Sequence, residues 1–378
     1  MNHIARVFLI VVAAIVLVAG CAPLAQRPSA ARYEKTTYAD LPGWEAAALE
    51  PSLRAFVAGC PRLQAVAALA PACAAAQAVP ADDAAAARNF FETTFVPYAV
   101  IDPDGSTTGL VTGYYEPVLD GSRERTERFR YPVYGVPDDL VDVDLAGLYP
   151  ELKGMRLRGR LEGRKLVPYY SRSEIDAHGD GFEAPVIAWV ADPVELFFLQ
   201  IQGSGQIRFG DDDRIRVGYG DQNGHPYRSL GRYLVAQGEL PLAQASMQGI
   251  KAWARAHPEL LRQALEQNPS YVFFRERPAS GGPLGALGAP LSATYSIAVD
   301  RRYYTLGAPV YLASTLPLSD IPLEQLVVAQ DTGGAIRGAV RADFFWGSGD
   351  QAGEFAGRMR QQGRMWLLWP RGEPLPRP

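Results

Sequence analysis

The order of apolar and polar positions divides the chain into an Ala-rich segment and a longer segment of short apolar runs. Residues 44–89 carry apolar side chains at helical spacing, interrupted by Pro61, Pro71 and Pro80. This pattern predicts several short helices that lead into the rest of the chain.

From residue 96 to about 220, short runs of β-branched and aromatic residues alternate with Gly, Pro and Asp. Such regularly spaced runs predict the strands of a barrel or sandwich. The predicted strands cover residues 110–115, 133–135, 165–170, 186–190, 196–202 and 215–219.

Helical spacing returns over residues 227–267, with a predicted break at 238–241 and a predicted N-cap at Ser246. Strands are predicted again beyond this helical segment. They cover residues 271–274, 296–299, 310–312, 326–329 and 365–368.

The N-terminus carries an apolar run of thirteen residues, 7–19. This is shorter than the roughly 20 residues that a membrane-spanning helix needs, so it predicts a signal-peptide core. The sequence VAGC at 18–21 resembles a bacterial lipoprotein signal, which implies cleavage after residue 20 and acylation of Cys21. Ala22 follows where an inner-membrane retention signal would have Asp. We therefore expect a signal peptide over 1–20, a tether over 21–43, and a lipid anchor on the periplasmic face of the outer membrane.

Charge and composition exclude several classes of function. The chain has 37 Lys and Arg against 41 Asp and Glu, so it has no basic field that would hold nucleic acid. Its four histidines and three cysteines show no metal-ligand spacing, and we expect neither a metal nor another cofactor. Beyond Cys21, Cys60 and Cys73 form either a disulfide or two buried thiols.

Carboxylates are the best candidates for chemistry in this chain. Ser204 lies in QGSG, which lacks the first glycine of a serine nucleophile motif. Asp331 leads into Gly333 and Gly334, whose backbone amides can approach a ligand. Asp343 precedes three consecutive aromatic residues, and an acid packed among aromatic rings holds its proton more tightly.

Five segments together resemble the MltA family of membrane-bound lytic murein transglycosylases. The matches are collinear from about residue 90 to 370. They are TGYYEP at 112–117, QIQGSG at 200–205, NGHPYRS at 223–229, QNPSYVFF at 267–274 and DTGGAI at 331–336.

The resemblance implies a mainly β fold, in which a double-psi β-barrel domain carries an inserted smaller β-barrel domain and flanking helices. The expected catalytic domain comprises residues 44–118 and 243–372, and the expected insert comprises 119–242. The implied activity is cleavage of the β-1,4 MurNAc–GlcNAc bond of peptidoglycan without water, which leaves 1,6-anhydro-MurNAc ends. Peptidoglycan glycan strands are the expected substrate, and cell-wall synthesis enzymes are candidate protein partners.

The resemblance also implies roles for individual residues. Asp343 falls at the position of the general acid/base, and Asp331 would assist the charge that develops at C1 of the sugar. The residues expected to bind the glycan are Thr112, Tyr114, Tyr115, Gln202, Ser204, Gly333, Gly334, Trp346 and Asp300.

Two other functions fit parts of the sequence. A non-catalytic peptidoglycan-binding lipoprotein would keep the binding residues and lack turnover. An aspartic protease would use the Asp-Thr-Gly at 331–333, but such enzymes need two of these loops. The chain contains one, so a protease would have to be a homodimer.

Substitution of the predicted acylation site tests the anchor. Cys21→Ala should yield an unlipidated protein, either soluble in the periplasm or held as the precursor, because the acyl chains attach through this thiol. Palmitate labelling followed by membrane fractionation measures the outcome. Continued labelling and membrane association of the variant would contradict the lipoprotein interpretation.

Overall fold

The structure, a computed structural model, describes residues 31–152, 155, 157–211, 213–278 and 281–376. The predicted signal peptide and Cys21 lie outside these residues. Within them, no helix is long and apolar enough to cross a membrane.

The described chain is mainly β, as expected. Its strands are β1 (Arg32–Lys35), β2 (Phe95–Ile101), β3 (Gly109–Glu116), β4 (Val118–Ser122), β5 (Tyr131–Tyr134), β6 (Val141–Val143), β7 (Leu157–Glu162), β8 (Lys165–Pro168), β9 (Val186–Val190), β10 (Ser204–Arg208), β11 (Arg214–Gln222), β12 (Val272–Arg277), β13 (Ser296–Val299), β14 (Pro309–Thr315), β15 (Pro322–Asp331), β16 (Ala342–Ser348) and β17 (Arg360–Pro370).

Helices lie before, between and after these strands. They are α1 (Glu50–Gly59), α2 (Ala70–Ala76), α3 (Ala84–Thr94), α4 (Arg172–His178), α5 (Pro193–Gln202), α6 (Leu230–Ala236), α7 (Met247–Ala256), α8 (Pro258–Glu266) and α9 (Asp350–Arg358).

The larger sheet closes on itself. Its strand order is β1-β2-β17-β14-β15-β13-β16-β3, and β17 also pairs with β3. The long strand β17 makes this possible, because residues 360–363 pair with β3 while 364–367 pair with β14. Six strands therefore form a closed ring, which leaves no unpaired edge within the barrel. The main apolar core combines side chains of these strands with side chains of helices α1, α2 and α3. The double-psi connection of the strands stays a prediction.

A second sheet follows directly after β3. Only Pro117 separates β3 from β4, which belongs to a six-stranded sheet of order β12-β11-β10-β4-β9-β5. A single bridge between Gly135 and Phe274 joins the two edges of this sheet. A separate small sheet is formed by β6, β7 and β8. The strands of the second sheet run from Val118 to Arg277, and the division at 119 and 242 stays a prediction.

The prediction of a strand over residues 196–202 is wrong, because this segment belongs to helix α5. Its start is capped by Asp192, whose carboxylate accepts hydrogen bonds from the amides of Val194 at 2.7 Å and Glu195 at 3.3 Å. Pro193 occupies the first turn, and Gly203 ends the helix with φ of +76°. The run is almost wholly apolar and fits both periodicities, so the capping residues decide its structure.

The helical segment before the barrel is confirmed. Helices α1, α2 and α3 cover most of residues 50–94, and Pro71 lies in the first turn of α2, where no amide hydrogen is needed. Cys60 and Cys73 form a disulfide with Cα atoms 5.4 Å apart. Ser246 caps α7, as predicted, by accepting a hydrogen bond from the amide of Gly249.

Glu116 joins the two large sheets. Its side chain is fully buried at the end of β3, and Arg216 of β11 donates to it at 2.5 Å and 3.2 Å. Gln206 of β10 donates at 2.8 Å, and Ser348 of β16 donates at 2.6 Å. Strands from both sheets therefore converge on one carboxylate, which fixes the orientation of the second sheet against the barrel.

Loss of this carboxylate should destabilise the protein. Glu116→Gln keeps the shape but places an amide beside the buried guanidinium of Arg216, so we expect a loss of about 3 kcal/mol in the free energy of unfolding. Asp180→Asn, which removes the exposed partner of Arg125, is the control and should cost less than about 1 kcal/mol. Urea denaturation measures both values. Equal losses in the free energy of unfolding would show that the buried ion pair stabilises the protein no more than the exposed one.

Candidate active site

A row of directly opposed residues crosses four strands of the barrel. Ala298 of β13 pairs with Asp331 of β15 on one side and with Asp343 of β16 on the other. Asp343 in turn pairs with Thr112 of β3. Opposed residues in neighbouring strands project from the same face of a sheet, so both carboxylates and the threonine hydroxyl share one face.

Asp343 has one oxygen engaged and one available. The hydroxyl of Thr112 donates a hydrogen bond of 2.5 Å to Oδ1. Among the described residues, none donates to Oδ2. The side chain keeps a solvent-exposed part, although protein surrounds most of it. Oδ2 can therefore meet a ligand that enters from this face.

The surroundings of Asp343 favour its protonated form. Burial raises the pKa of this carboxyl, because the ionised form loses hydration. The hydrogen bond from Thr112 and the positive charge of Arg341 act in the opposite direction and limit the rise. Asp343 therefore keeps its proton at a higher pH than an ordinary aspartic acid. The positive charge of Arg341 lies nearby and stabilises the carboxylate after the proton leaves.

Asp331 is held more firmly. Its Oδ1 accepts hydrogen bonds from the amides of Thr332 at 2.8 Å and Ala286 at 2.9 Å, and the Tyr114 hydroxyl donates to Oδ2 at 3.1 Å. Burial raises the pKa of Asp331 to about 6, these three donors oppose the rise, and the charge of Asp343 adds to it. Three donors suit an ionised carboxylate, so Asp331 is better arranged to supply negative charge than a proton.

Aromatic rings line the face beside the acids. Tyr114 is opposite Phe345 in the β3–β16 pair, and their ring centroids are 5.1 Å apart. Tyr114 also contacts Asp331 through its hydroxyl. Phe345 is buried, so the half-buried Tyr114 is the ring of this pair that can contact a sugar.

Two predicted substrate-binding residues, Tyr115 and Trp346, lie on the opposite face. Tyr115 packs against α9, and its hydroxyl contacts the sulfur of Met247. Trp346 stacks on Phe355 of α9 with centroids 4.8 Å apart. Alternation along β3 and β16 separates these residues from Thr112 and Asp343.

Gln202 and Ser204 lie where α5 ends and β10 begins. The Gln202 side chain accepts a hydrogen bond of 3.2 Å from the amide of Tyr115, which ties α5 to β3. Ser204 is half-buried, and no side-chain hydrogen bond engages it in the described part of the chain. Ser204 is thus the freer of the two to bind a ligand.

The glycines after Asp331 differ in their surroundings. A side chain at Gly333 would clash with Ile336 at 2.9 Å, whereas one at Gly334 would meet nothing within 4 Å. Gly334 is exposed. The loop is therefore open at Gly334, where its backbone can reach a ligand.

Asp300 belongs to a different cluster. It is buried, and its oxygens accept hydrogen bonds from the Arg302 side chain and from the amide of Gly338 at 3.0 Å. Burial raises its pKa, but these donors outweigh that effect and hold the pKa below its ordinary value. With both oxygens engaged, Asp300 stabilises the loop before β16 and is not brought to the other two acids.

Sequence reasoning missed Arg341. Its Nη2 donates a hydrogen bond of 2.8 Å to the Thr112 hydroxyl, and Nη1 donates to the carbonyl of Leu110 at 3.3 Å. The sequence does contain a signal that Arg341 lies near the acid. Arg341 is two residues before Asp343, and residues two apart in a strand lie on the same face.

No group of three or more His, Cys, Asp or Glu side chains in the described ranges is arranged to hold a metal ion. A cavity of about 200 Å³ lies behind β3, between α5, α6, α7 and α9. Gly113, Tyr115 and Gln202 line it, whereas Asp331 and Asp343 do not. The two acids therefore lie outside this cavity.

Comparison with known proteins gives consistent matches. Residues 110–275 match the model of the MltA specific insert domain, and residues 295–369 match that of the 3D domain. Membrane-bound lytic murein transglycosylase A of Escherichia coli K12 is 36% identical over 267 residues, which are 68% of this chain and 64% of that protein. The matched part thus spans slightly less than two thirds of this relative.

Solved structures match over more of the chain. MltA from Neisseria gonorrhoeae is 43% identical with a TM-score of 0.82, and the match covers 92% of this chain and 95% of that one. E. coli MltA with bound chitohexaose is 28% identical with a TM-score of 0.67, covering 91% and 94%.

The proximity of the two acids makes a titration experiment informative. The Asp331 carboxyl carbon should titrate near pH 6 in the wild type. Asp343→Asn should lower that midpoint, because it removes the negative charge that disfavours ionisation of Asp331. Carbon-detected NMR of the labelled carboxyl groups measures both midpoints. An unchanged midpoint in the variant would show that the two carboxylates do not interact.

Proposed function

The chain belongs to the MltA family, and from this membership we propose that it is a lytic transglycosylase of peptidoglycan. It cleaves the β-1,4 MurNAc–GlcNAc bond without water and leaves 1,6-anhydro-MurNAc ends. The observation that carries the proposal is the half-buried Asp343, whose pKa is raised by burial and whose Oδ2 is available on the open face.

The proposed substrate is a peptidoglycan glycan strand. The E. coli relative was crystallised with chitohexaose, a hexasaccharide. The half-buried Tyr114 offers aromatic surface beside the acids, and Gly334 and Ser204 offer free polar groups. These features support placing the glycan across the row formed by Asp331, Ala298 and Asp343.

A single acid can perform both steps of this reaction. Protonated Asp343 gives its proton to the glycosidic oxygen as the bond from that oxygen to C1 breaks. The C6 hydroxyl oxygen of the same MurNAc attacks C1, and its proton passes to the Asp343 carboxylate. The acid is regenerated, one bond to C1 is exchanged for another, and water is not consumed.

Asp331 has a supporting part in this mechanism. Positive charge develops at C1 while the glycosidic bond breaks, and a nearby carboxylate lowers the energy of that state. The three hydrogen bonds to Asp331 hold its carboxylate in place, so no reorganisation is needed at that moment. Two carboxylates would also suit a hydrolase, which would release reducing-end MurNAc instead.

The alternatives receive less support. A non-catalytic binder would have no need for an acid with one free oxygen. A dimeric protease would bring together Asp331 from each subunit. In this structure Asp331 accepts a hydrogen bond from Tyr114 and lies near Asp343 of the same chain.

We also propose the cellular placement that the N-terminus suggests. The E. coli relative is named as membrane-bound. Acylation of Cys21 would attach this protein to the periplasmic face of the outer membrane, within reach of the peptidoglycan layer. Cell-wall synthesis enzymes are its proposed protein partners there.

Substitution of each acid should separate their roles. Asp343→Asn cannot deliver a proton, so we expect kcat to fall by about 10⁴, the upper end for general acid catalysis, with glycan binding retained. Asp331→Asn keeps its hydrogen-bonding shape and should retain measurable turnover. Digestion of purified sacculi with mass analysis of the muropeptides measures rate and product together.

The exposed Asp320→Asn is the control and should behave like the wild type. The wild-type rate should fall as pH rises through the pKa of Asp343, because the reaction begins from the protonated acid. Reducing-end MurNAc as the main product, or a near-normal rate for Asp343→Asn, would overturn the assignment.

A further inference from the structure

Arg341 forms no ion pair within 4 Å with any carboxylate of the described chain, yet it is largely surrounded by protein. Its three described hydrogen bonds go to the Thr112 hydroxyl and to the carbonyls of Leu110 and Ala342. One of its two terminal nitrogens is therefore directed at the residue that contacts the proposed catalytic acid.

The Thr112 hydroxyl has one hydrogen, and Arg341 determines where it points. A guanidinium can only donate, so the Thr112 oxygen must accept from Arg341. The hydroxyl hydrogen is then directed to Asp343 Oδ1 at 2.5 Å. With Oδ1 accepting that hydrogen bond, the proton of the neutral carboxyl belongs on Oδ2, the oxygen to which none of the described residues donates.

We propose that Arg341 is a positioning residue, which acts through Thr112 to keep the transferable proton of Asp343 on Oδ2. This inference rests on the proposed transglycosylase function. It gives Thr112 a role in orienting the acid, in place of the direct contact with the glycan that the family resemblance suggested.

The same arrangement suits an acid that must also act as a base. After the proton leaves, the Thr112 hydroxyl stabilises the carboxylate directly, and the guanidinium charge lies behind that hydroxyl. The other charged or titratable groups near Asp343 are Asp331 from β15 and Tyr114 from β3, while β13 contributes the methyl group of Ala298. Strand β17 places the exposed Arg360 opposite Thr112.

Arg360 provides a matched control. It is a register partner of Thr112, as Asp343 is, and has no described bond to the Thr112 hydroxyl. Arg341→Met and Arg360→Met each remove one positive charge beside the same residue. Only the first removes the donor that orients the hydroxyl.

The test is a double-mutant cycle on purified protein with sacculi as substrate. Arg341→Met should lower kcat by about 10-fold to 100-fold with KM little changed, because a misdirected proton affects the chemical step and not binding. The alkaline limb of its pH profile should move to higher pH, because the cation that favours ionised Asp343 is gone. Arg341→Lys should restore the position of that limb and part of kcat, and Arg360→Met should match the wild type.

Thr112→Val decides whether Arg341 acts through the hydroxyl. In this background, Arg341→Met should cost no further loss of kcat, because the group it orients is absent. Full additivity of the two losses, or an Arg341→Met variant with wild-type kcat and pH profile, would overturn the proposal. Wild-type protein that releases no 1,6-anhydro product in the same assay would instead refute the proposed function.

Discussion

The spacing of Asp331 and Asp343 depends on the hydrogen bonding of the short strand β13 between them. Ala298 of β13 is opposite both Asp331 and Asp343. Neighbouring strands are about 4.8 Å apart, so the two Cα atoms are about 10 Å apart. At this spacing the charges of Asp331 and Asp343 influence each other. The backbones are too far apart for the short aspartate side chains to bring the two carboxyl groups together. A shift of β13 by one residue would turn Ala298 away and disrupt the row.

The second sheet depends on the first through one buried carboxylate. Glu116 is four residues beyond Thr112 on β3, so the same strand carries the contact to Asp343 and the contact to Arg216. Helix α5 adds the bond from Tyr115 to Gln202. A single strand, β3, therefore carries both the contact to the proposed catalytic acid and the contact that fixes the second sheet.

Much of this arrangement could be predicted from the sequence, and the remainder depends on contacts between distant residues. The helices before the barrel, the Ser246 cap and most strands follow from local patterns. The strand prediction for residues 196–202 is wrong because their apolar run fits both periods, and Asp192 and Gly203 at its ends stabilise the helix. The contacts of Arg341 and Glu116 could not be predicted, because their partners are more than 90 residues away in sequence. These partners are Thr112 for Arg341 and Arg216 for Glu116.

The order of strands along the chain has a consequence for how the protein is made. Strand β3 pairs with β16 and β17, which come more than 200 residues later. A chain synthesised from its N-terminus carries Thr112 and Tyr114 for most of its length before their partner strands exist. Contacts of such long range form late in folding. A chain that ends before β16 thus lacks the proposed catalytic Asp343 and leaves β3 without its barrel partners, so we expect an incomplete chain to be inactive and sensitive to proteases.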